Sequence, residues 1–73
     1  MAKPVFNDAV LACFEAIHMR LSDATQITKA AQACAQAGSL SEAVTISMEI
    51  EQLIYEAGWL HDAASLLNRL SSD

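Results

Sequence analysis

The sequence predicts an all-α protein: a small antiparallel four-helix bundle built from two helical hairpins, with open, repeat-like stacking of the hairpins as the alternative. Two observations carry this. Apolar residues recur at i, i+3, i+4 and i+7 along most of the chain, and three short segments with helix-stop or helix-start residues recur about twenty residues apart. No stretch alternates apolar and polar residues as a strand would. The 73 residues read as a single all-helical domain, 1–73.

Two of the corners share a pattern. Ala37-Gly38-Ser39-Leu40-Ser41-Glu42-Ala43 and Ala57-Gly58-Trp59-Leu60-His61-Asp62-Ala63 each place glycine after alanine, then leucine, an acid and alanine at the same offsets. Glycine takes the left-handed conformation that stops a helix, and Ser39 with Glu42 three residues on forms a capping box for the next one. A glycine-free corner is expected at Leu21-Ser22-Asp23-Ala24, with Ser22 as N-cap and Asp23 at the positive end of the helix dipole. The expected helices are therefore roughly 6–20, 23–37, 41–57 and 61–71, with neighbours antiparallel because the turns are short. The glycine corners resemble those of helical-hairpin repeat proteins such as the tetratricopeptide family, whose unit is longer. The resemblance covers the corners alone and implies no functional residue.

Each expected helix has a face to bury. Phe6, Ala9, Val10, Cys13, Phe14, Ile17 and Leu21 form the stripe of the first, and Ala24, Ile27, Ala31, Cys34 and Ala35 a small-residue stripe on the second. Ala63, Leu66, Leu67 and Leu70 serve the fourth, with Trp59 and Leu60 over the preceding corner. The third has two stripes. Ala43, Ile46, Ile50, Leu53, Ile54 and Ala57 form the core side, whereas Val44, Met48 and Tyr55 lie more than about 120° around the helix from its centre. The second stripe is either a lateral contact inside the bundle or a surface covered by another chain.

Composition narrows the function classes. Nine acidic and four basic residues give a net charge of −5, and Lys3, Arg20, Lys29 and Arg69 are scattered, which argues against binding to a phosphate backbone. No apolar run approaches the roughly 20 residues needed to cross a bilayer, and no basic segment followed by an apolar one opens the chain, so the expected location is cytoplasmic, with no membrane partner. Cys13 and Cys34 are too few for a disulfide framework and are expected as buried core residues.

Four constellations bear on possible chemistry. Glu15-Ala16-Ile17-His18 is one Glu-x-x-His, but a di-iron bundle needs two, and Gly58 stands where the second glutamate, three residues before His61, would be. His18 lacks the lysine and small residue that follow a phosphotransfer histidine. Ser39-Leu40 at a helix start is similar to the attachment site of acyl carrier proteins, yet Gly38 replaces the aspartate before the serine. Ala33, Cys34, Gly38, Leu40, Ser41, Val44, Thr45 and Ile46 approximate a helix-turn-helix, but the would-be recognition helix carries Glu42, Glu49, Glu51 and Glu56 with no lysine or arginine. No catalytic residue, cofactor or metal ligand is assigned.

The expected function is that of a small acidic protein-interaction module, not an enzyme: an adaptor, regulator or chaperone-like subunit. It would dock by a helix face, form a homodimer, bind an unidentified protein, or do both. The expected interface is Val44, Met48, Tyr55 and Trp59, since exposed tyrosine and methionine favour such surfaces. The alternatives are a carrier-type or catalytic subunit using Ser39 or His18, and an atypical helix-turn-helix protein.

Overall fold

A computed structural model describes residues 4–72, with the side chains of 6–71. It is all-helical over that range: α1, Pro4–Gln36, and α2, Leu40–Ser72, are each 33 residues long and pack side by side as an antiparallel hairpin. The hairpin measures 56 × 14 × 11 Å and has a radius of gyration of 16.7 Å, against about 11 Å for a globular chain of this length.

Two helices replace the four expected from the sequence. The corner at Gly38 forms: its φ of +91° lies in the left-handed region, Ser39 N–H donates to the Cys34 carbonyl at 2.9 Å, and Gly38 N–H donates to the Ala35 carbonyl at 3.0 Å. This is the Schellman arrangement, and it satisfies carbonyls that the end of α1 would leave unpaired. The Ser39 carbonyl then accepts from Ala43 N–H and opens α2, with Glu42 in the first turn. The other two corners are helical. Ser22-Asp23 has no residue that stops a helix, so α1 runs through it. Gly58 sits inside α2 without a positive φ. Its cost there, about 1 kcal/mol relative to alanine, is outweighed by the apolar seam that continues on both sides of it.

That seam explains the length of both helices. Phe6, Val10, Cys13, Ile17, Arg20, Ala24, Ile27, Ala31 and Cys34 of α1 follow alternating steps of four and three residues; all are at least half-buried, Ala24 fully. Ala43, Ile46, Ile50, Leu53, Ala57, Leu60, Ala64, Leu67 and Ser71 do the same on α2 in steps of three and four. Such a repeat keeps one face of each helix turned to the other along its whole length. Every seventh position on α2 from Ala43 is small except Ile50. Ala43, Ala57, Ala64 and Ser71 are the buried residues of α2. Small side chains there let the two backbones approach, and the larger Ile46, Leu53, Leu60 and Leu67 fill the adjoining row.

A two-helix hairpin covers each helix from one side only. No large side chain is fully buried among the described residues. Phe14, Leu21, Ile54, Leu66 and Leu70, which the periodicity places in core stripes, are 53, 44, 53, 48 and 45% exposed for that reason. Cys13 and Cys34 are free thiols on the seam but half-buried, not enclosed.

Candidate functional site

The outer side of α2, facing away from α1, carries Met48, Tyr55 and Trp59 of the residues expected as an interface, and Val44 lies beside the seam. Val44, Met48, Tyr55 and Trp59 are 61, 71, 55 and 62% exposed. The second stripe of α2 is thus not a contact within this hairpin. Positions Met48 and Tyr55 are two helical turns apart and point directly away from the seam, while Trp59 follows Tyr55 by one turn. The Tyr55 and Trp59 rings lie 6.2 Å apart between centroids and tilt by 38°, within the range of favourable aromatic pairs.

The pair borders a shallow groove of about 630 Å³ lined by Glu51, Ile54, Tyr55, Gly58, Trp59 and Asp62. Gly58 forms its floor. An added Cβ there meets nothing within 4 Å, so the space over Gly58 is open. Glu51 and Asp62 stand at the rim. An apolar floor with a carboxylate on either side suits a helix that presents an apolar anchor flanked by basic residues.

The structure does not bring all four expected residues together. Val44 lies nearer the turn and lines a different groove, with Thr28, Ala31, Ala35, Ser47 and Ile50. Ile54 joins the Tyr55–Trp59 groove instead, although its spacing from Ile50 and Ala57 assigns it to the core. The signal for Ile54 lies in the uninterrupted three-four repeat: once Ile50, Leu53 and Ala57 occupy the seam, Ile54 is left beside it.

The residues of the alternative chemistries stand apart. His18 and Ser39 are exposed, Ser39 within the turn and His18 in mid-α1. Among the described residues no group of three or more His, Cys, Asp or Glu side chains could hold a metal ion, and no helix is long and apolar enough to cross a membrane. An ion pair marks the opposite flank of the hairpin. Arg20 Nε donates to Glu56 Oε1 at 2.6 Å, and Gln52 Nε2 donates to Glu56 Oε2 at 3.0 Å. The hydrogen bond from Gln52, then that from Arg20, holds the Glu56 carboxyl below the ordinary carboxylate value.

Comparison of the chain with protein-family models, with curated proteins and with solved structures finds no match.

Proposed function

We propose that this protein is a non-enzymatic interaction module, a helical hairpin that pairs with a second copy and docks on another protein through the outer face of α2. The observation that supports it most directly is the Tyr55–Trp59 groove. Two large aromatic side chains lie more than half exposed beside an apolar floor, where an isolated hairpin gains nothing from them. Aromatic anchors in such a setting supply most of the energy of a protein interface. The surrounding acids and the net charge of −5 favour a partner segment with basic residues around its apolar anchor. Pairing of two hairpins would also make a four-helix bundle, drawn from two chains rather than from the four short helices of one chain that the sequence predicts.

The test is co-purification from the native host by wild-type protein and by Tyr55→Glu and Trp59→Ala variants, with circular dichroism as the control for folding. A partner held by the wild type and released by both variants at unchanged helicity supports the reading. Equal retention by all three removes it. The intact mass of the same material separates the carrier alternative, because a group attached at Ser39 would add to the chain mass.

A further inference from the structure

The two flanks of the hairpin differ in charge. On one, Asp23, Glu42, Glu49 and Glu56 lie beside the seam, and Asp23 and Glu49 line a common groove with Gln26 and Gln52. On the other, the rows beside the seam carry Leu11, Phe14, Leu21, Val44, Ile54 and His61, and Glu51 is the one acidic residue among the described positions of those rows, with no lysine or arginine. Both helices contribute to this neutral flank. Near the free ends Val10 and Phe14 meet His61, Ala64 and Asn68 around a groove of about 220 Å³, and near the turn Thr28, Ala31 and Ala35 meet Ala43, Ser47 and Ile50 around one of about 530 Å³. Between the two hollows stand Leu21 and Ile54, 44 and 53% exposed.

Exposed area and charge both fit a second copy of this chain. A compact globular chain of 7.8 kDa exposes about 4,400 Å², whereas this hairpin exposes 5348 Å². The excess of roughly 1,000 Å² per chain matches the ~800 Å² that each side of a standard protein interface covers. A two-fold pairing sets like surface against like surface, so it disfavours a face that carries several charges of one sign, and the neutral flank carries Glu51 alone among its described positions. The opposite flank would bring Asp23, Glu42 and Glu49 toward the same acids of the second copy, besides Glu56, whose charge Arg20 offsets.

We infer that the neutral flank is the surface on which a second copy of this chain docks, giving a four-helix bundle with Leu21 and Ile54 near its centre and with Met48, Tyr55 and Trp59 on the outside, the second copy covering the Ile54 side of the Tyr55–Trp59 groove. The inference rests on the interaction-module reading and specifies the surface used for self-pairing.

Sedimentation equilibrium at micromolar concentration tests it. Wild-type protein is expected at twice the chain mass, with a melting temperature that rises with concentration. Leu21→Glu and Ile54→Glu should each weaken the dimer by at least about thirtyfold, as loss of a central interface contact does. Ser65→Glu is the control for folding. Ser65 is exposed on the same flank, so a charge there harms nothing unless another chain covers it, and it too should weaken the dimer. Met48→Glu, on the outermost row, should leave the dimer intact. A fully helical monomer overturns the inference, as does a dimer dissociated by Met48→Glu and indifferent to the three flank variants. A monomer that loses another protein on Ser65→Glu likewise overturns it and gives the flank to that protein. A monomer that still holds a partner through Tyr55 and Trp59 overturns the flank assignment alone, whereas a flank-dependent dimer with no such partner supports the flank and removes only the docking role.

Discussion

Arg20 and Glu56 meet across the hairpin at 2.6 Å, joining a seam position of α1 to a position beside the seam of α2. One heptad to either side of Arg20 the seam holds Cys13 and Ile27, so the guanidinium interrupts an otherwise apolar row. The short turn at residues 37–39 allows one register, and in that register Glu56 is within reach. Arg20 and Glu56 are 35 and 30% exposed, which leaves the pair partly hydrated and its contribution small.

The pair makes stability depend on acid in a defined direction. The carboxyl of Glu56 is held below its ordinary value of 4.5, so the folded state binds its proton less readily than the unfolded chain. Its contribution is present above that ordinary value and is lost as the pH falls through the lower, folded value. Urea midpoints of wild type and Glu56→Gln should therefore differ at neutral pH, and the difference should vanish in strong acid. A difference independent of pH would show that the charge on Glu56 is not what matters.

The two glycines should respond in opposite directions to alanine. Gly38, with φ +91°, holds a conformation that costs an L-residue about 1–2 kcal/mol, so Gly38→Ala should lower the melting temperature. Gly58 is helical, with open space where a Cβ would stand, and Gly58→Ala should stabilise the hairpin by up to about 1 kcal/mol. Thermal unfolding of the two variants distinguishes a helix end from a helix interior. Loss of stability at both positions would restore a corner at Gly58.

Ala64 is 4% exposed and faces α1. Enlarging it forces the backbones apart. Ala64→Leu is expected to cost about 1–3 kcal/mol by overpacking, measured by denaturant unfolding, while the same change at the exposed Ala33 should cost little. Equal effects would mean that the small-residue row does not set the spacing of the helices.

Ile50 and Tyr55 should separate folding from association. Ile50 is half-buried in the seam, and Ile50→Ala should destabilise the hairpin by about 2 kcal/mol, the low end for a buried aliphatic residue. Tyr55→Glu should leave the helicity and melting temperature of the protein near wild type, because the ring is turned to solvent. A Tyr55→Glu variant that unfolds as readily as Ile50→Ala would contradict the outer placement of the stripe.

Much of this molecule is legible one segment at a time. Apolar spacing names the seam residues Val10, Ile17, Ile27, Ile50 and Leu53, and the pairing of glycine with a following serine and glutamate names the turn at Gly38, because both are properties of a few consecutive residues. The same local signals name Met48 and Tyr55 as lying off the core face of their helix, whereas Trp59, expected at a corner, lies within α2. Two things depended on how distant segments meet. Gly58 carries a local end signal as plausible as that at Gly38, and Ser22-Asp23 carries a start signal alone, yet a helix continues through each because the seam extends past it, and at Gly58 continued packing outweighs a penalty of about 1 kcal/mol. Exposure was the other. Phe14, Leu21 and Ile54 have the periodicity of buried residues, but periodicity states which side of a helix is apolar and not how many neighbours cover that side. In a two-helix hairpin the width covered is a single seam, and what lies beside it waits for another surface.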